Sequence, residues 1–321
     1  MKDNYSDTIE IAFAINDSYV TPLCTVIFSI LKNNANQTIN FYICGKEFSK
    51  DSRQRLDKIC ALNPHASIRY IEINDNLFDG INLSIKHISI ETYFRFLLAE
   101  LLPDLDKVLY MDADIVVDGS LSALWNIDMK DNLLAGVRDE YIESVNVNHK
   151  KKIGLTENSL YVNAGILLMN LRLLRTEFPD KKLLEMTRKL ENIISYQDQD
   201  ILNIACRGRI LELKPAWNMT YDSAIASNDD IPVIIHYNGP DKPWNRACCH
   251  PHRMTYIKYY VGTPDANIED VIEWLKPVPN RWKYSILGIP VLKVHEKIIK
   301  KSKTKKYWLF GFIPIARVIE R

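Results

Sequence analysis

The stretch KVLYMDADIVV, residues 107–117, decides how this chain is read. Its apolar run, broken only by Asp112 and Asp114, predicts a buried strand. Two aspartates separated by one residue on a strand point to the same face. Like charges a few ångströms apart beside a core either raise one pKa or recruit a cation, and a divalent ion is the usual answer. Oxygen ligands suit Mg²⁺ or Mn²⁺, and an added imidazole tilts the choice toward Mn²⁺. The bland alternative is a pair of strand-end acids capping a helix at Gly119-Ser120-Leu121, a task for which Asp118 is better placed.

Outward from this strand the pattern alternates. Before it come IEIAFAIN (9–16), a helix opening near Pro22, INFYICG (39–45), a helix from Ser49 to Leu62 and ASIRYIEI (66–73). A further helix runs from Ile90 to Leu102 and is stopped by Pro103. After it come LLAGVRD (133–139), GILLMN (165–170), ILELKPAW (210–217) and PVIIHYN (232–238), with helices over Lys181–Leu190 and Gln199–Cys206. This rhythm predicts an α/β domain, a mixed and mostly parallel sheet flanked by helices, over residues 1–264.

From 265 to 321 the alternation stops, and the expectation is a helical, basic and aromatic tail. Between Lys293 and Lys306 there are seven lysines and one acid, Glu296, followed by YWLFGFIPIA. Such a composition suits an anionic membrane surface, with the rings at headgroup level. A solvated basic helix with a docked aromatic patch is the competing reading.

The 321 residues are 47% hydrophobic, enough for a sizeable core, and 41 basic against 40 acidic side chains give a net charge of +1. That balance argues against a general nucleic-acid binder. The charged start MKDNYSDTIE is unlike a signal peptide, and no run reaches the ~20 apolar residues of a spanning helix. A cytoplasmic protein, peripherally attached to the cytoplasmic face of the inner membrane, is therefore expected. Cys24, Cys44, Cys60, Cys206, Cys248 and Cys249 show no disulfide framework, and the CCHPH run at 248–252 is a zinc half-site with no second ligand pair at finger or ribbon spacing.

Neither a G-x-G-x-x-G nor a G-x-x-x-x-G-K-[ST] loop is present, so a nucleotide needs another anchor. A metal bridging two phosphates provides one and stabilises a departing diphosphate. PVIIHYNGPDKPWN offers His236 after an apolar strand, Gly239 where backbone can approach a ligand, and Lys242 as a cationic phosphate partner. A lone His after a strand is more often structural; the unusual turn beside it favours ligation. SYQDQDILN sets Asp198, Gln199 and Asp200 at a helix N-terminus, where carboxylates cap free N–H groups. Asp198 and Gln199 also suit sugar hydroxyls, whereas for Asp200 capping and catalysis remain equally open.

FAINDSY (13–19), HISIETYFRF (87–96), KVLYMDADIVV, YVNAGILLMNL (161–171), YQDQDILN (196–203) and HYNGPDKPW (236–244), in this order and spacing, resemble glycosyltransferase family 8. The likeness is strongest to its bacterial lipopolysaccharide and lipooligosaccharide galactosyl- and glucosyltransferases. The resemblance implies a GT-A fold, a retaining reaction, a UDP-galactose or UDP-glucose donor, Mn²⁺, and a glycan or lipid-linked saccharide acceptor. It implies metal ligation by Asp112, Asp114 and His236, with Ala113 between the acids in the donor site. Ala14, Ile15, Asn16, Asp17, Ser18 and Tyr19 would line the uridine site, and Gly239 and Lys242 would hold the diphosphate. Arg95, Asn163 and Asp198 would contact the donor, and Gln199 would sit beneath the anomeric carbon, with Asp200 or Asp139 in reserve. His87 and Asp139 match family positions around the site. Asn16 departs from the Asp of several members, although both side chains can accept a bond from the uracil N–H. A non-catalytic UDP-sugar or glycan-binding protein on the same fold is the alternative.

Overall fold

A computed structural model describes residues 8–81, 89–226, 230–276, 281–286, 289–299, 302–309 and 313–320; at Asp75 and beyond residue 276 it describes the backbone alone. The chain divides into two compact units, Met1–Lys242 with His250–Ala266, and Pro243–Cys249 with Asn267–Arg321.

In the first unit a seven-stranded sheet is built from β1 (Thr8–Ala14), β2 (Thr38–Gly45), β3 (Ala66–Glu72), β4 (Lys107–Met111), β6 (Leu134–Arg138), β7 (Val162–Asn170) and β8 (Ile210–Leu213). Two further short strands, β5 (Ile115–Val117) and β9 (Ile234–His236), pair with each other. The sheet order is β3-β2-β1-β4-β7-β6-β8. Only β7 runs against its neighbours β4 and β6; the remaining pairs are parallel. The mixed, mostly parallel sheet read from the sequence is the sheet observed.

Parallel strands must be covered on both faces, and the side chains alternate accordingly. Ile9, Ile11 and Phe13 of β1 and Leu109 and Met111 of β4 join the core under the Val20–Asn33 and Lys50–Cys60 helices. Ala12 of β1 and Val108 and Tyr110 of β4 join the opposite core with the Lys182–Leu190 and Gln197–Ala205 helices. The Lys50–Cys60 helix starts where Ser49 accepts the Ser52 N–H at 3.2 Å, and the Val20–Asn33 helix carries Pro22 in its first turn, where no intrahelical donor is lost.

Three expectations need correcting. KVLYMDADIVV is two strands, broken at Asp112-Ala113-Asp114: β4 lies between β1 and β7, whereas β5 pairs antiparallel with β9. The break follows from a change of partner, since the Asp112 N–H donates to Gly165 O at 2.8 Å and the Asp114 carbonyl accepts from the Tyr237 N–H at 2.9 Å. The helix over 90–102 is a 3-10 run, Ile90–Leu97, closed by one α turn, Leu98–Leu101. Among the described residues the expected helical tail holds one helix, Ile268–Leu275, after which the second unit forms an antiparallel meander of β10 (Arg281–Ile286), β11 (Ile289–Ile299), β12 (Ser302–Leu309) and β13 (Ile313–Glu320). Its sequences are rich in β-branched and aromatic residues, whose strand preference outweighs the lysines. Among the described residues no helix is long and apolar enough to cross a membrane.

Candidate active site

The β5–β9 register sets Ile115 opposite His236, so the imidazole stands beside Asp114, the residue preceding Ile115. One donor atom each from Asp112, Asp114 and His236 lies within 4.8 Å of the others, and among the described residues this is the group of three metal-ligating side chains that converges. His236 Nε2 is 3.3 Å from Asp114 Oδ1 and 3.9 Å from Asp112 Oδ2. The aspartates do meet, although through the strand break and not through one strand's face. The donor set, two carboxylates and an imidazole around one point, fits a divalent cation.

Gly165 on β7 makes this convergence possible. A Cβ there would lie 2.2 Å from His236 Cε1 and 2.9 Å from Asp112 Oδ2, so any side chain would displace the ring or the carboxylate. Asp112 Oδ1 is held by Tyr110 Oη at 2.8 Å and Arg95 Nη2 at 3.0 Å, which leaves Oδ2 turned toward His236. Arg95 is buried and lies over the Tyr110 ring, 4.2 Å from its centroid. On the other acid, burial would raise the carboxyl pKa, but Lys242 and His236 hold Asp114 well below the usual carboxylate range. Lys242 Nζ pairs with Asp114 Oδ2 and donates to Tyr237 O at 3.0 Å. Tyr19 is raised by burial and then by the field of Asp114, which places its phenol near this centre.

The second half of the site is a bulge. Gly136 of β6 faces Leu167 of β7 and Arg138 faces Val162, so the four residues Asn163–Ile166 stand opposite Val137 alone. The Ala164 backbone so freed is put to use: its carbonyl accepts from Arg95 Nη1 and its N–H donates to Gln199 Oε1 at 3.0 Å, while Gly165 O takes the Asp112 N–H one step beyond the Met111–Ile166 pair of β4 and β7. Gln197, buried and left-handed at φ 50°, precedes Asp198 and Gln199 at the start of their helix. For a residue with a Cβ this is a strained backbone, held only where its surroundings impose it.

Asp198 Oδ1 accepts from Thr92 Oγ1 at 2.7 Å, and Arg95 Nε lies 3.0 Å from Oδ2 without making a hydrogen bond to it. Burial pushes this carboxyl up to about 6, against the opposing pull of Arg95 and Thr92. Gln199 Nε2 donates to Asp139 Oδ2 at 3.0 Å and reaches Tyr161 Oη at 3.3 Å. Asp200 is fully buried, and both of its oxygens are engaged. Oδ2 accepts the Ser195 and Tyr196 N–H groups at 2.7 and 2.8 Å; Oδ1 meets His149 Nε2 at 2.6 Å and Tyr161 Oη at 2.5 Å. Its arrangement is that of a cap and not of a group open to a ligand.

The loop after β1 holds Ala14 through Tyr19. Asn16 caps its 3-10 turn, with Oδ1 accepting from Ser18 N at 3.1 Å and from Ser18 Oγ at 2.5 Å, so the oxygen expected for a base is already engaged. Asp17 Oδ2 receives the Ser49 N–H at 3.4 Å. Ala113 is buried between the acids, and Gly239 takes φ 81° with open space where a Cβ would stand. Asp139 caps the Glu140–Ser144 helix by accepting the Ile142 N–H at 3.1 Å. Asp118 does not cap the next helix; its carboxylate takes Tyr259 Oη and Lys258 Nζ. His87 lies outside the described residues. Sequence reading missed Gly165, Tyr110, Tyr161 and Asn218, whose Oδ1 is 2.9 Å from His236 Nδ1. The signal for Gly165 was available: a glycine inside a buried strand marks close approach or a bulge.

Gly165→Ala should leave the protein folded while weakening divalent-cation binding at this point by ~100-fold, the scale of a misplaced ligand shell. Manganese titration beside a circular-dichroism melt checks this; unchanged affinity would show that the crowding is relieved elsewhere.

Known proteins share this fold. The galactosyltransferase LgtC, solved in complex with donor and acceptor sugar analogs, superposes with a TM-score of 0.74 at 32% identity, over 81% of this chain and 98% of LgtC. A lipopolysaccharide 1,3-galactosyltransferase of Salmonella typhimurium is 29% identical over 81% of this chain and 80% of its own length. A lipopolysaccharide 1,2-glucosyltransferase of Escherichia coli is 26% identical over 80% and 78%. The sequence pattern of glycosyl transferase family 8 matches residues 10–248, and the chain belongs to that family: it is a glycosyltransferase with the GT-A fold of LgtC.

Proposed function

We propose that the protein transfers a hexose, galactose or glucose, from a UDP-sugar to a lipopolysaccharide, lipooligosaccharide or related glycan, with retention at the anomeric carbon. The observation that carries this reading is the convergence of Asp112, Asp114 and His236 beside Lys242, with Asp198 and Gln199 on the neighbouring wall. Asp112, Asp114 and His236 hold the divalent cation, Mn²⁺ by preference, which supplies Lewis acidity toward the leaving diphosphate. The open backbone of Gly239 lets the diphosphate approach, and Lys242 leaves Asp114 to meet it. The Ala14–Tyr19 loop receives the uridine. Asp198 Oδ2, buried and without a hydrogen-bond donor of its own, accepts a donor-sugar hydroxyl while Arg95 holds the carboxylate.

Retention follows from front-face attack: the acceptor oxygen bonds to the anomeric carbon on the side from which UDP departs, and the hydroxyl proton passes to the leaving phosphate. A two-step path needs a free carboxylate under the ring. Asp200 is engaged at both oxygens, Asp139 Oδ2 is taken by Asn163 and Gln199, and Gln199 is a poor nucleophile. Residues 1–264 constitute the catalytic domain in this reading. Residues 265–321, with their lysine run, attach it to the anionic cytoplasmic face of the inner membrane, where lipid-linked acceptors reside.

With Mn²⁺ and a panel of UDP-sugars, one hexose should release UDP in an acceptor-dependent manner. Asp112→Ala or Asp114→Ala should lower turnover by ~1000-fold, the several kcal/mol that a Lewis acid contributes; turnover surviving in such a variant after chelation would overturn the metal assignment. Ionised Asp198 is the form that accepts a hydroxyl, so transfer should fall by about tenfold from pH 7 to 5. Its folded pKa of about 6 lies above the ordinary value of 3.8, so its stabilising contribution is present at low pH and lost as pH rises through 6. Acidification over that window should therefore cost activity without a loss of thermal stability from this group, and Asp198→Asn should remove the acid limb. The full chain should sediment with vesicles containing anionic lipid at low salt and release at high salt; equal sedimentation with neutral vesicles would refute the electrostatic attachment.

A further inference from the structure

The His236 ring has two nitrogens, and only an unprotonated Nε2 can bind a cation held between Asp112 and Asp114. The two carboxylates work against this. Oδ1 of Asp114 at 3.3 Å and Oδ2 of Asp112 at 3.9 Å are acceptors that would draw the ring proton to Nε2. On the far side of the ring runs a buried chain of amides. His236 Nδ1 is 2.9 Å from Asn218 Oδ1, Asn218 Nδ2 donates to Asn163 Oδ1 at 2.9 Å, and Asn163 Nδ2 donates to Asp139 Oδ2 at 3.1 Å. Asn218 is fully buried, and His236, Asn163 and Asp139 are nearly so.

The direction of this chain is fixed at its far end. A carboxylate can only accept, so Asn163 must turn its Nδ2 to Asp139. A second, independent constraint agrees: Asn163 Oδ1 also accepts the Gly165 N–H at 3.0 Å, and a backbone N–H cannot become an acceptor. Asn218 must then offer its Nδ2 to Asn163, which leaves its Oδ1 facing the ring. An amide oxygen facing a ring nitrogen requires that nitrogen to carry hydrogen. Reversing Asn163 would set its Nδ2 against the Gly165 N–H and the Asn218 amide, and reversing Asn218 would set oxygen against oxygen, in a region with no bulk water to repair it.

We infer that Asn218, with its orientation set by Asp139 through Asn163, is a positioning residue that assigns the His236 proton to Nδ1 and keeps Nε2 free for metal. The inference rests on the proposal that His236 is a ligand, and it explains how a histidine wedged between two acids remains one. It also gives Asp139 a double task, because the same Oδ2 accepts Gln199 Nε2 at 3.0 Å. The carboxylate so fixes which end of Gln199 faces the Ala164 N–H, as well as which nitrogen of His236 faces the cation.

Nitrogen-15 NMR of the metal-free full-length protein, labelled in histidine and held at a pH where the ring is neutral, reads the tautomer directly. The wild-type His236 should show a protonated Nδ1 and an unprotonated Nε2. Asn218→Leu should move the proton to Nε2 and weaken Mn²⁺ binding by 10- to 100-fold. Asn218→Asp, which keeps an acceptor facing Nδ1 but gives up the bond to Asn163, should retain the wild-type tautomer and bind Mn²⁺ more tightly than Asn218→Leu. Should Asn218→Leu fail to fold, the wild-type tautomer and the Asn218→Asp result still decide. A wild-type ring protonated at Nε2, or a tautomer indifferent to both substitutions, overturns the inference. A wild-type protein with the expected tautomer that binds no Mn²⁺ overturns instead the assignment of His236 as a ligand.

Discussion

Two aspartates with one residue between them, set at the edge of a buried sheet, repel each other, and the site is organised around that repulsion. Each acid has its own cation: Arg95 for Asp112 and Lys242 for Asp114, with the His236 ring between the two carboxylates. Buried ions are tolerated only where such pairing and hydrogen bonding are complete. The two pairings differ in kind. Arg95 is anchored by Thr92 O, Ala164 O and the Tyr110 face, so it is part of the wall. Lys242 belongs to a turn after β9. One acid is neutralised by the scaffold and the other by a loop, which suits a centre whose charge changes when a metal and a diphosphate arrive.

This arrangement depends on two interruptions of regular structure. If β4 continued into β5, Asp112 and Asp114 would share one sheet with β7 and β1, and nothing would bring β9 to them. The break at 112–114 hands the chain from β7 to β9, and the imidazole comes with it. The surplus residues of β7 do the complementary work: they free the Ala164 N–H and carbonyl to hold Gln199 and Arg95. A regular ladder would have consumed those groups in pairing with its neighbours.

Legibility in the sequence followed the physical signal each element carries. Strands such as β1, β2 and β7 announce themselves because burial on both faces forces apolar runs, and the Ser49 cap and Pro22 mark their helices. The break in KVLYMDADIVV was not legible, since Met111 and Ile115 are both apolar and periodicity is blind to a change of partner. The tail was misread because lysine counts say nothing of strand against helix. Asp112 and Asp114 stood out because charge near an apolar run demands compensation, and His236 and Lys242 because of the unusual turn that follows an apolar strand. Asn218 did not, because an asparagine in NMTYD reads as a turn residue; its burial and its histidine partner come from elsewhere in the chain. For Asp200 the sequence left capping and chemistry level, and the geometry tips the balance by engaging both oxygens.

Two glycines of the site show why residue type alone is a poor guide to role. Gly165 has an ordinary backbone and no room: its missing Cβ is the space that His236 and Asp112 occupy. Gly239 has ample room and an extraordinary backbone, with φ 81° on the turn that carries Lys242. The first is needed because the wall is dense, the second because the loop must bend in a way few side chains permit. The rigid face of the site therefore fixes where the two acids and the imidazole meet, and the turn fixes where the Lys242 ammonium can reach. A substitution at either glycine disturbs the same centre by an opposite physical route.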